Sequence, residues 1–213
     1  YSIMFSKKIE INLEKPDDII HLEPISDIHI GHAGFDEEHY KKRIKAISKD
    51  KNRYTFFGGD ALDAITTYDK RFNPDMSLEH DIDNQRLRWQ NLSQKLFDIH
   101  AEQKNEKVWG FFHGNHDYKI PQISRAYLQN TMCTPNDLTF MGSRGVMGLE
   151  VKYNRKVLAQ WSILFMHGSG GGKPERMMEQ MKHNAYYDVF LCGHLHQKRY
   201  QPEIAYDFDW ESG

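Results

Sequence analysis

Asp27-Ile28-His29 sets a carboxylate and an imidazole two residues apart. In extended chain, side chains at that spacing point to the same side, so both can reach one cation. Gly193-His194-Leu195-His196 repeats the spacing with two imidazoles. Gly58-Gly59-Asp60 adds a carboxylate, Gly114-Asn115-His116-Asp117 adds three consecutive polar side chains, and His167-Gly168 adds another imidazole. Singly, each has a bland reading: a capping Asp27, turns at Gly-Gly-Asp and Gly-Asn, a satisfied structural histidine pair. Jointly, Asp27, Asp60, His29, His167, His194, His196 and Asn115 form an oxygen and nitrogen ligand set without thiolate. Seven such groups exceed what one tetrahedral zinc takes and suit two metals sharing a bridging carboxylate.

Each block closes an apolar, aromatic or β-branched run: IIHLEPIS, RYTFFGG, VWGFFHG, WSILFM and YYDVFLCG. Runs of this length read as buried strands, and polar groups just past strand ends are where open α/β sheets build sites. Helices are predicted between them. Asp36 can cap one over 37–48, with Tyr40, Ile44 and Ile47 on one face. Pro74 stands near the start of a longer helix over 75–103, with the stripe Leu78, Ile82, Trp89, Leu92, Leu96 and Ile99 interrupted by Gln85. Pro174 opens a third, with Met177, Met178, Met181 and Ala185 read as core. Residues 145–166 read as a hairpin turning at Tyr153-Asn154-Arg155, and 198–210 as a weak edge strand. The fold class is α/β.

The chain has 213 residues, room for one domain over 1–213 with an insertion at 64–106. Apolar residues at 39% and charged residues at 27% exclude a disordered tail. No apolar run approaches the roughly 18 residues of a membrane span, and the N-terminal stretch lacks the apolar core of a signal peptide. Lys and Arg number 28 against 30 Asp and Glu, a formal charge of −2 that gives no whole-surface attraction to nucleic acid. Cys133 and Cys192 form no CxxC and suit free thiols in a reducing, cytoplasmic setting.

D-x-H, G-D, G-N-H-D, an isolated His and G-H-x-H, in that order over residues 27 to 196, resemble the calcineurin-like metallophosphoesterase superfamily. The resemblance implies a two-sheet sandwich flanked by helices, the α-β-β-α arrangement, and two divalent ions drawn from Mn, Fe or Zn. It implies one ion on Asp27, His29 and His196, a second on Asn115, His167 and His194, and Asp60 bridging. His116 would lie beside the scissile phosphate with Asp117 as its orienting partner, and Asp63 resembles a position some members use beside the ligands. The activity implied is hydrolysis of a phosphodiester or phosphomonoester, small or nucleotide-like, by in-line attack of a metal-bridging hydroxide. Two ions, two carboxylates and a hydroxide leave roughly +1, which attracts a phosphate despite the net negative chain.

Substrate contacts are expected from His32, three residues past His29, from Lys173 in the glycine-rich 168–173 loop, and from Arg88. That loop is no P-loop, since His167 and Pro174 stand where Walker A needs Gly and Ser or Thr. The 64–106 insertion, with Tyr68, Arg71, Arg86, Arg88 and Trp89, is expected to overhang the cleft, to pack its apolar stripe on the sandwich, or both. His21, His39, His80, His100 and His183 read as surface residues and His113 as packed. Two other functions compete. SDIHIG and GNHD also resemble the nuclease subunit of double-strand-break repair complexes, although no basic stripe is present. A partner-binding scaffold that has lost its metals is the other, disfavoured by the intact ligand set. The protein-phosphatase branch fits less well, because its third block ends in Glu where Asp117 stands.

Overall fold

Alternation along a strand sends neighbouring side chains to opposite faces, and in β3 (Arg53–Gly58) both faces are buried. Tyr54 and Phe56 enter one hydrophobic cluster and Phe57 another, so this strand lies between two cores. The computed structural model describes residues 5–103, 106–118, 125–168, 179, 181, 187–194 and 196. Among them, β2 (His21–Leu22), β3 and β4 (Val108–Phe112) form a parallel three-stranded sheet in that order. A four-stranded mixed sheet runs β1 (Phe5–Asn12), β5 (Arg144–Tyr153), β6 (Lys156–Met166), β7 (Val189–Cys192). In it β1 is parallel to β5, β5 antiparallel to β6, and β6 parallel to β7.

The sheets pack face to face. Ile9, Ile11, Met147, Leu149, Val151, Ile163 and Phe165 of the larger sheet meet Tyr54, Phe56, Trp109 and Phe112 of the smaller. The second core lies on the other face of the smaller sheet, where Phe57, Val108 and Phe111 meet Tyr40, Ile44 and Ile47 of α1 (Glu37–Lys49) and Trp89, Leu96 and Phe97 of α2 (Ile82–Glu102). Each such side chain removed from water contributes about 1.5–3 kcal/mol. A register shift between Thr55 and Phe57 lets β4 place both Trp109 and Phe112 on the sandwich side, with Val108 and Phe111 on the helix side. This two-sheet architecture agrees with the expected α/β fold class. Of the helix expected from Pro174, Met181 is buried; Met177, Met178 and Ala185, like the 198–210 tail, lie outside the described residues.

Several sequence expectations need correction. α2 starts at Ile82, not near Pro74, because the Asp81 carboxylate caps it by accepting from Asp83 N and Asn84 N. Leu78 is 68% exposed and off the stripe, its backbone N held by the Gly31 carbonyl instead. Gln85, the apparent interruption, is fully buried: its side chain accepts from Ala64 N and donates to Glu79 O. His100 is buried too, accepting from Val108 N at 3.0 Å, since it faces the sheet from α2 rather than solvent. β1 carries the alternation Lys8-Ile9-Glu10-Ile11, a period-2 signal in a segment expected only to lack a signal peptide. IIHLEPIS yields two strand residues and one bridge, Ile25 to Phe57, instead of a full strand. The α1 boundaries, the Asp36 cap and the hairpin with its left-handed Asn154-Arg155 turn follow the expectation. No helix among the described residues is long and apolar enough to cross a membrane.

Candidate metal centre

The loops that leave the strand ends are laced to one another by backbone bonds. Asp27 N donates to Gly59 O and His29 N to Asp60 O, each at 3.0 Å, and Gly58 N donates to Ile25 O at 2.7 Å. His194 N reaches the Asp27 carboxylate at 3.0 Å, and His116 N reaches Asp60 Oδ1 at 2.7 Å. Strand ends of both sheets therefore deliver their polar groups to one place. Ligand atoms of Asp27, His29 and His196 lie within 4.8 Å of one another, and so do those of Asp60, His167 and His194. A third group, His29, Asp60 and His116, overlaps both.

Asp60 stands between the first two groups. Its Oδ2 is 3.0 Å from His167 Nε2 and 3.9 Å from His29 Nε2, in a residue only 1% exposed. Burial opposes its ionisation, but the hydrogen bond and charge of His167 outweigh it and hold the carboxyl at about 2. His167 Nδ1 donates to the Gly58 carbonyl at 2.7 Å. That bond commits Nδ1 to the backbone, so Nε2, which donates to Asp60 here, is the ring nitrogen a cation would take in place of that proton. His29 Nε2 and His196 Nε2 face each other at 3.2 Å, with Asp27 Oδ1 3.3 Å from the latter. Two imidazole nitrogens close together beside a carboxylate are donors of the kind that could hold a borderline divalent ion.

Two further observations fit this donor set to metal ions. Asn115 Oδ1 is buried without a hydrogen-bond partner, a condition that coordination to a cation would relieve. Of the nine non-glycine residues with left-handed backbone among the described residues, five are Asp27, His29, Asp60, His194 and His196. Each such residue stores about 1–3 kcal/mol, and strain of this kind collects at binding sites. The glycines beside these candidate ligands allow close approach: a Cβ on Gly114 would fall 2.0 Å from Asp60 Oδ1, and one on Gly59 2.6 Å from His167 Nδ1.

His116 lies against this cluster, its ring centroid 4.5 Å from that of His29. Asp117 does not orient it. Asp117 is fully buried and accepts from Leu62 N at 3.2 Å and Gly114 N at 3.0 Å, tying the two ligand loops together. Burial and the charge of Asp60 push its carboxyl up to about 6. The partner of His116 is Asp63, whose carbonyl accepts from Nδ1 at 2.7 Å and whose Oδ1 is 3.6 Å from both His116 Nδ1 and His29 Nδ1. Asp63 follows Leu62, which bridges to Ile30, and its backbone N donates to Ile30 O at 2.9 Å, so the segment runs beside the 27–30 loop and brings Asp63 to the neighbouring imidazoles. Burial resists its ionisation, and its contacts with His116 and His29 hold it at about 2.

Arg88 is likewise placed elsewhere: it pairs with Glu37 of α1 at 3.0 Å and stacks 5.5 Å over Phe35, at the seam of α1 and α2. Trp89 is fully buried core and Tyr68 is 93% exposed. The insertion does send one cation to the centre, Arg71, whose Nη1 is 3.0 Å from His116 Nε2. His32 borders the cluster, its ring 6.5 Å from His29 and its Nδ1 accepting from Gly34 N. Lys173 lies outside the described residues. Sequence reasoning missed Ser26, whose hydroxyl is 2.6 Å from Asp27 Oδ2, and Asp69, which holds Arg71; neither has a signal beyond a polar residue near a block. No family model matches this chain, and no curated protein matches it.

Proposed function

We propose that the protein is a dinuclear-metal phosphoesterase with the calcineurin-like α-β-β-α fold, hydrolysing a small or nucleotide-type phosphate ester. The observation that carries this reading is the pair of ligand groups meeting at Asp60, one with Asp27, His29 and His196 in reach and one with His167 and His194. In this reading Asp27, His29 and His196 would hold one ion, Asn115, His167 and His194 would hold the other, and Asp60 would serve both. Two divalent ions held there would supply Lewis acidity to neutralise phosphate charge and acidify a water. Manganese, iron and zinc all suit the nitrogen and oxygen donors.

The remaining work falls to the chain's own residues. His116 commits Nδ1 to the Asp63 carbonyl, so Nε2 is the atom that handles a proton at the leaving oxygen. Burial lowers the affinity of His116 for that proton; its contact with Asp63 and the charge of Asp60 outweigh burial and raise it, as a general acid requires. Asp60 accepts the backbone N–H of His116, which fixes the imidazole relative to the ligand cluster. Asp117 locks the same two loops from below through Leu62 N and Gly114 N.

The test is a panel with Mn²⁺-loaded protein: p-nitrophenyl phosphate, bis(p-nitrophenyl) phosphate, cyclic nucleotides, and single- and double-stranded DNA. Turnover of small esters without DNA cutting supports the proposal. Processive DNA degradation replaces it with the nuclease reading, and full metal occupancy without turnover replaces it with a binding scaffold.

A further inference from the structure

Arg71 is built into its loop in a way that leaves one donor edge for a ligand. Its Nε is 3.0 Å from Asp69 Oδ1, its Nη2 2.6 Å from Asp69 Oδ2, and its backbone N 2.9 Å from the same carboxylate. Asp69 N donates to Thr66 O and Phe72 N to Asp69 O, both at 2.9 Å, so the loop that carries the pair is itself hydrogen-bonded. A guanidinium gripped along one edge keeps its geometry, and the remaining nitrogen is aimed rather than free to wander. That nitrogen, Nη1, is the one 3.0 Å from His116 Nε2.

Because His116 Nδ1 donates to a carbonyl, Nε2 accepts in this contact while the imidazole is neutral, before it carries the proton for a leaving oxygen. The contact cannot persist while a leaving oxygen occupies Nε2. Arg71 Nη1 then stands beside the reacting phosphate with no acceptor left to it in its own loop, and a charge-assisted bond to a phosphate oxygen replaces the lost one. A phosphomonoester has three terminal oxygens and up to two negative charges. A diester has two and one, its third non-leaving position carrying an alkyl or aryl group. The ligand groups, once loaded, serve terminal oxygens that both ester classes possess.

Resting on the phosphoesterase reading above, we propose that Arg71, set by Asp69, is a specificity-determining residue that donates to the third terminal oxygen and makes the site selective for phosphomonoesters. Arg71 belongs to the insertion between two ligand blocks, so the element without a metal ligand is the one that reads the substrate.

The experiment compares Arg71→Ala, Arg71→Lys and Asp69→Asn with the parent protein, all Mn²⁺-loaded and matched for metal content and thermal midpoint. Two readouts are taken: kcat/KM for p-nitrophenyl phosphate against bis(p-nitrophenyl) phosphate, and calorimetric affinity for inorganic phosphate. Loss of one charge-assisted bond is expected to lower the monoester-to-diester ratio about tenfold or more in Arg71→Ala, mainly through KM, and to weaken phosphate binding by a similar factor. Arg71→Lys is expected to retain part of both, and Asp69→Asn to shift both in the same direction by less. Equal losses on both esters, or unchanged phosphate affinity, overturn the role given to Arg71 while leaving the phosphoesterase reading intact. A parent protein that neither turns over an ester nor binds phosphate overturns both. If Arg71→Ala does not fold, the same ratio and affinity read on Arg71→Lys and Asp69→Asn decide the matter.

Discussion

Replacing Gly114 with alanine adds a single methyl group at the point where the two ligand loops touch. The new Cβ would fall 2.0 Å from Asp60 Oδ1, 2.5 Å from its Cγ and 2.6 Å from its backbone N. Non-bonded heavy atoms rest at roughly 3.5 Å, so the Asp60 carboxylate must retreat by about 1.5 Å or the loop must open. Neither is easy: Asp60 is 1% exposed and is held by His116 N at 2.7 Å and His167 Nε2 at 3.0 Å. Gly114 does not have left-handed backbone, so the penalty is purely steric. Overpacking of this kind costs about 1–3 kcal/mol, which lowers the midpoint of a domain this size by roughly 2–12 °C. If Asp60 serves two ions as proposed, displacing its carboxylate should weaken Mn²⁺ binding by about 10–100-fold, read by calorimetry and metal analysis, with a comparable fall in turnover. Gly148→Ala is the control. Its Cβ meets nothing within 4 Å, so stability should stay within about 0.5 kcal/mol of the parent and metal binding should not change. A Gly114→Ala protein with parental metal affinity and midpoint would refute the placement of Asp60 at the centre.

Three other outcomes are expected. His116→Ala should lower turnover by about 10²–10⁴-fold with both ions retained; loss of both ions on metal analysis would make His116 a ligand instead. Chelation should lower the thermal midpoint, and Mn²⁺ at about 100 times its Kd should restore about 2.7 kcal/mol; a midpoint indifferent to both would remove the metal centre. Lys107 is fully buried, its Nζ donating to Asp50 O, and burial depresses its pKa to about 8. The folded state thus binds that proton less tightly than the unfolded chain, so the charge weakens the fold below pH 8 and the effect fades as pH rises toward the ordinary lysine value. Lys107→Met should therefore gain about 1 kcal/mol at pH 7, net of the lost hydrogen bond, and the gain over the parent should shrink in denaturant melts between pH 8 and 10.5. A gain that is constant or grows with pH would show that the charge is not the cause.

The sequence by itself determined which residues could form the centre and the order of the elements that carry them. Apolar runs ending in Gly and a polar residue are local signals, because a buried strand and the turn after it are both set by neighbours in the chain. Asp27, Asp60, His167, His194 and His196 could be named on that ground, and so could the Asp36 cap and the Asn154-Arg155 turn. What only the tertiary structure decided depends on separations the chain cannot express. Asp117 and Asp63 are both acids near His116 or Asp60, and sequence adjacency favours Asp117. A short helical turn at Asn115–Tyr118 instead carries Asp117 back onto Leu62 N and Gly114 N and leaves Asp63 facing the imidazole. Arg88 and Arg71 lie in one insertion, yet α2 turns Arg88 toward Glu37 while the loop before the helix turns Arg71 toward His116. Gln85 looks like a break in an apolar stripe and His100 like a surface residue until the backbone groups of Ala64 and Val108 arrive to satisfy them. Residue type and spacing fix what a side chain can bond; which partner it meets is settled by packing between segments tens of residues apart, where burial makes an unpaired polar group too costly to leave.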